Sequence, residues 1–189
     1  MKRHFRKTDF SLWLGLCLLA TLVSACGFSL RGVQQPSLAI PAIRVQAADP
    51  YGWEQSRVRR RLIDAGYQVD EDAGFILRLD GESHSDETIG RDFRNEEKQY
   101  RIHTQLGWSL TGPGGAVVIA HNKLRTERTF ETDEGQSFLR TQERRNIERE
   151  NLEEVINMMI GHLNEVTQAD VNRAIQRAHD IRALQKDRR

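Results

Sequence analysis

The sequence predicts an α+β fold: a mostly antiparallel four-stranded sheet with two helices packed on one face, plus a charged C-terminal helical tail. Three observations predict it. Tyr100, Ile102, Thr104, Leu106, Trp108 and Leu110 alternate with Arg101, His103, Gln105 and Ser109, the period of a half-buried strand. Leu152, Val155, Ile156, Met159, Leu163 and Val166 recur at helical spacing as one apolar stripe. The first 25 residues read as an export signal and stand apart from the fold. The domains are thus a signal over 1–25, an α+β domain over 26–166 and the tail over 167–189.

Lys2, Arg3, Arg6 and Lys7 form a basic start, and an uncharged, Leu-rich stretch follows from Phe10. This is the layout of a secretory signal, whose positive end stays inside while the apolar segment enters the membrane. The competing reading is a transmembrane anchor. Phe10 to Ala25 is 16 residues, short of the ~20 that span a bilayer as a helix. Val23-Ser24-Ala25-Cys26 resembles a bacterial lipobox: small residues admit the peptidase, and the Cys26 thiol accepts a diacylglycerol as a thioether. Gly27 stands where Asp resembles an inner-membrane retention mark, which favours the outer membrane. Cleavage leaves 164 residues with 24 basic and 26 acidic side chains, a net charge of −2. Cys17 leaves with the signal, so the mature chain has no internal disulfide and folds by burial alone or with a partner.

The mature chain begins with a tether from 26 to about 39. Ala42–Ala47 reads as a strand, with Ile43 and Val45 on one face. Asp49-Pro50 signals a helix start, and the helix runs to about Ala65, with Val58, Leu62 and Ala65 inward. Gly66 caps it. Arg59, Arg60 and Arg61 read as its solvated side rather than a nucleic-acid patch. A second strand begins at Tyr67, is interrupted by Asp70-Glu71-Asp72, and continues through Phe75, Leu77 and Leu79. The strand from Tyr100 turns at Gly112-Pro113-Gly114-Gly115 and returns from Ala116 to about Phe130 as a hairpin. Its polar outer face implies an antiparallel sheet with one side on the helices. A long helix spans about Gln136 to Val166, and Met159 reads as core filler. Thr167-Gln168-Ala169-Asp170 is a capping box for a weakly amphipathic tail, Val171 to about Gln185.

The charge balance, 28 basic against 27 acidic residues, gives no reason to expect nucleic acid. The six histidines show no metal-ligand spacing. There is no nucleophile elbow, P-loop or dinucleotide fingerprint. Glu96-Glu97 and Glu153-Glu154 sit at surface-type positions, and His103 lies on a polar strand face suited to a partner. The chain does not read as an enzyme, and no cofactor is expected beyond the covalent N-terminal lipid on Cys26.

Cys26-Gly27-Phe28-Ser29-Leu30-Arg31-Gly32 is similar to the mature start of the LPS-assembly lipoprotein LptE family. Asp49-Pro50-Tyr51-Gly52, Ala65-Gly66-Tyr67-Gln68-Val69 and Phe93-Arg94-Asn95 follow in the family's order. The tail after about Thr167 is not well matched. The resemblance implies an outer-membrane lipoprotein, anchored on the periplasmic side, that plugs and supports the LptD β-barrel. The pair would assemble lipopolysaccharide at the cell surface. It also implies lipopolysaccharide contacts through basic residues at one end of the sheet, and Arg94 and Arg140 match that pattern. Arg91, Arg144 and Arg145 extend the patch. Asp92, Glu96, Glu143 and Glu148 are close enough in sequence to pair with these arginines instead. Two other classes compete: a free lipoprotein that binds or carries an amphiphile without an obligate barrel, and a periplasmic hydrolase.

Overall fold

Parallel pairing at one side of the sheet is where the structure departs from the sequence reading. In the computed structural model, residues 36–48, 53–91, 97–133 and 137–187 are described. All of them lie in one of the chain's two units, Gln34–Arg189. Cys26, the Asp49-Pro50 signal and Arg94 lie outside the described residues.

Strand β1 (Ala42–Ala47) is followed by helix α1 (Trp53–Asp64) and the two-residue strand β2 (Gln68–Val69). A helix between two strands of one sheet returns the chain in its original direction, so β2 pairs parallel to β1, with Ala42 opposite Gln68. Val58 and Leu62 are fully buried against the sheet, each burial contributing ~1.5–3 kcal/mol. Gly66, at φ +90, closes α1: its N–H donates to Ile63 O and that of Tyr67 to Leu62 O, each 2.9 Å.

The acidic turn then carries the chain to the other flank of β1. The Asp70 N–H donates to Ile43 O at 3.1 Å, and Arg44 donates to Glu71 O at 3.3 Å. Strand β3 (Phe75–Arg91) runs parallel to β1, with Ile43 opposite Phe75. Strands β4 (Glu97–Gly112) and β5 (Ala116–Asp133) follow as antiparallel neighbours, joined by a short 3-10 turn at Pro113–Gly115. The sheet is therefore five-stranded and mixed, in the order β2-β1-β3-β4-β5. This corrects the antiparallel four-stranded reading, although the α+β class holds. The segment from Tyr67 to Leu79 is two strands on opposite sides of β1, not one interrupted strand.

Helix α2 (Ser137–Asn164) packs on β4 and β5. Leu152, Val155, Ile156, Met159 and Leu163 are fully buried, facing Leu106, Trp108 and Leu110. One buried polar side chain joins the layers, and another ties two neighbouring strands. Asn151 donates to Ile102 O at 3.3 Å, and the Thr104 hydroxyl lies 3.0 Å from His84 Nδ1.

The expected capping box opens helix α3 (Gln168–Asp187). The Thr167 N–H and hydroxyl both donate to Asp170 Oδ2, at 2.9 and 2.6 Å. Val171 and Ala174 are buried, and α3 lies along β5. The charged tail is thus a third docked helix. The tether also ends sooner than expected. Ser37, Ala39 and Ile40 are buried; the Ser37 N–H donates to Tyr67 Oη at 3.2 Å, and its hydroxyl donates to Val166 O.

Candidate functional site on the open sheet face

A single bulge decides which β3 residues face where. Leu79 pairs with Trp108 but Glu82 pairs with Leu106, so β3 carries one extra residue, and Gly81 takes φ +94 there. Before the bulge Phe75, Leu77 and Leu79 face the core. After it Glu82 and His84 share the helix-covered side with Leu106 and Thr104. Ser83, Ser85 and Glu87 go to the other side, with Gln105, His103 and Arg101.

That other side is covered by no described helix, and it carries a ladder of alternating charge. His103 is the hub. Its Nε2 lies 3.3 Å from Glu87 Oε1 and its Nδ1 3.1 Å from Glu127 Oε2. Arg125 Nη2 approaches the same Nδ1 at 2.6 Å. Arg101 bridges Glu87 at 3.1 Å and Glu127 at 3.8 Å. At the near end His121 Nδ1 is 2.7 Å from Asp80 Oδ2. These positions follow from register: Glu87, Arg101 and Thr129 sit abreast, as do Ser85, His103 and Glu127. The expected polar face with Arg101, His103 and Gln105 is in place. Sequence reading missed Glu87, Arg125 and Glu127, because their strands carry no alternation strong enough to assign a face.

The far end of the sheet carries the second feature. Tyr100 and Phe130 are directly opposite and stack with ring centroids 5.4 Å apart. Arg140, in the first turn of α2, places its guanidinium carbon 5.2 Å from the Tyr100 ring centroid, and its Nη1 donates to Tyr100 Oη at 3.1 Å. Among the described residues no carboxylate pairs with Arg140. The cation is therefore oriented by an aromatic ring, at a stacking value of ~0.5–1 kcal/mol. Arg94 lies between β3, which ends at Arg91, and β4, which starts at Glu97; Glu97 pairs with Asp133, just before α2. The described strand ends that flank Arg94 are thus at the same end of the sheet as Arg140.

The other candidate arginines divide. Arg144 is spent on ion pairs, 3.2 Å from Asp86 and 2.8 Å from Glu148, and the Glu148 hydrogen bond raises its pKa. Arg145 is exposed and lines a groove with His84 and Arg149. The α1 arginines are also matched: Arg57 and Arg61 to Glu153 at 3.1 and 2.7 Å, and Arg59 to Glu71.

Under α1 the helix-covered side is strained electrostatically. Burial, then the Glu82 charge, raise the Glu54 pKa, against a backbone hydrogen bond from Glu82. The Glu82 carboxylate in turn hydrogen-bonds His84 and raises its pKa. Among the described residues no cluster of His, Cys, Asp or Glu fits a metal ion, and no helix is long and apolar enough to cross a membrane.

No family model matches the chain. Over 114 residues it is 32% identical to the LPS-assembly lipoprotein LptE of Yersinia pestis (strain Pestoides F), and equally to that of Yersinia pseudotuberculosis (serotype O:1b, strain IP 31758). Over that stretch the chain is similar to LptE. The match takes in 57% of this chain and 54% of each Yersinia protein, so the chain spans about half the length of the curated relatives it matches. Solved lipoproteins share the fold. A lipoprotein B from Nitrosomonas europaea superposes with a TM-score of 0.60 at 14% identity, over 78% of this chain and 96% of that one. A minor lipoprotein from Acinetobacter baumannii gives 0.55 at 11% identity, over 66% and 91%. The Yersinia relatives bear out the resemblance to the LptE family read from the sequence motifs.

Proposed function

We propose that this LptE relative is a lipoprotein acylated on Cys26, held at the periplasmic side of the outer membrane. There it seats in the lumen of the LptD β-barrel and assists lipopolysaccharide assembly at the cell surface. The observation that carries the reading is the open sheet face, where charges interleave around His103, on a chain similar to LptE. A barrel lumen is polar, so a plug needs a hydrophilic skin over an apolar core. The ladder of Glu87, Arg101, His103, Arg125 and Glu127 supplies such a skin, and its members are already cross-linked, so little side-chain freedom is lost on docking.

The far end of the sheet is the lipopolysaccharide contact in this reading. Arg140 gives one N–H to Tyr100 and keeps the rest of its planar fork for phosphate. Arg94 is its partner in the reading. No residue acts as a nucleophile or base; the chain is non-catalytic. The amphiphile-carrier alternative asks for an apolar cavity, whereas Leu106, Trp108, Leu152, Ile156 and Met159 fill the space between sheet and α2. The test is gentle detergent extraction followed by affinity purification. Stable co-purification of LptD supports the reading, and a protein that emerges alone contradicts it.

A further inference from the structure

Helix α3 keeps a row of side chains that nothing in the described fold covers. Arg177, Ile181 and Leu184 are spaced i, i+4 and i+7, so they share one side of the helix. Ile181 is 56% exposed and Leu184 65%, and Val117 on the adjacent β5 is 54% exposed. Val117 and Ile181 line one groove, together with the small Gly114, Ala174 and Ala178 and the long polar Arg177, Arg182 and Gln185. Half of the large exposed apolar residues of the described fold gather here, the others being Leu38, Ile63 and Ile89.

Two cations border the row without acidic partners. The Arg177 Nε–H donates to Arg173 O, and Arg182 donates to Gly114 O. Among the described residues no carboxylate pairs with either. Exposed aliphatic side chains beside unneutralised guanidinium groups match the boundary between acyl chains and anionic headgroups. Position agrees. The described chain starts beside α3, where the Ser37 hydroxyl is bonded to Val166 O. Cys26 precedes Pro36 by ten residues in sequence, a length that reaches at most ~35 Å. A bilayer that holds a lipid on Cys26 is therefore within reach of the α2–α3 corner.

We propose that the C-terminal half of α3, together with Val117, rests on an anionic lipid surface. Ile181, Leu184 and Val117 dip into the interface, and Arg177 and Arg182 meet headgroup phosphates. The inference rests on the lipid-anchor reading but not on the barrel partner, and its test does not use the anchor. The mature chain carrying Cys26→Ser is sedimented with vesicles of phosphatidylethanolamine containing one third phosphatidylglycerol, and with vesicles of phosphatidylcholine alone. The expected result is binding to the anionic vesicles only, weakened about fivefold for each of Arg177→Gln and Arg182→Gln. Ile181→Ser with Leu184→Ser abolishes it, while Ile63→Ser on α1 leaves it unchanged. Both positions are exposed, so circular dichroism is expected to show full helix content in every variant. Absent binding to anionic vesicles, or binding that the α3 substitutions leave intact, overturns the proposal. Fatty-acid labelling of Cys26 separately reports whether the anchor itself exists.

Discussion

Arg140 shows what one side chain discloses that its sequence neighbours do not. By sequence it has Glu143 one helical turn away, and pairing was the competing reading. In the fold it turns to Tyr100 instead, because the Tyr100–Phe130 stack offers a flat ring at the start of α2. Charge reversal at this end, Arg94→Asp with Arg140→Asp, is expected to weaken lipopolysaccharide binding at least tenfold while leaving barrel association intact and lowering the melting temperature by only about 2–4 °C. Unaltered binding would return both residues to the solvated surface. Cys26→Ser is expected to abolish incorporation of radiolabelled fatty acid. Glu54 gives a pH signature. Its folded pKa is raised, so the folded state holds the proton more tightly than the unfolded state does. Its contribution is favourable at low pH and is lost as pH rises from the ordinary carboxylate range through the folded pKa. Glu54→Gln is therefore expected to melt higher than the parent at neutral pH, and the gap is expected to close on acidification towards the ordinary carboxylate range. A gap that widened in acid would contradict the sign.

At the scale of elements, legibility followed periodicity. The β4 alternation and the α2 stripe are strong because each buries one continuous face, and every residue assigned inward on them is buried. Strand β3 was legible only to Leu79. Beyond it the one-residue bulge at Gly81 flips the facing parity, and the run from Glu82 to Arg91 is polar on both sides, so no period of two survives in the sequence. The same polar run supplies Glu87 to the open face, and Arg125 and Glu127 come from the polar second half of β5, so three of the five ladder residues went unread. Parallel pairing was hidden for another reason: β2 has two residues, too few to carry a pattern, and its direction is set by α1. The docking of the tail was not legible because its buried stripe is thin, only Val171 and Ala174. Two substitutions test these elements. Ile156→Ala, in the centre of the α2 interface, is expected to cost ~2–5 kcal/mol in urea unfolding. Thr167→Ala removes the reciprocal cap of α3 and is expected to cost ~1 kcal/mol, with increased amide exchange confined to α3. Exchange that rises throughout the sheet would mean that α3 is part of the main cooperative unit.

The unit Gln34–Arg189 has two unlike sides. One buries a filled apolar core under three helices; the other is a bare sheet whose charges cancel locally rather than across the domain. Exposed ion pairs of this kind contribute only ~0–1 kcal/mol each to stability, so holding the fold together does not account for the ladder. In the proposed function a polar partner surface does. The most direct measurement is photo-crosslinking in intact cells from His103, at the centre of the open face, with Glu154 on the exposed side of α2 as the comparison site. The account predicts a single large adduct from position 103 that contains LptD, and at most a weak one from position 154. No barrel adduct from position 103, in cells where the protein is acylated and folded, would contradict it.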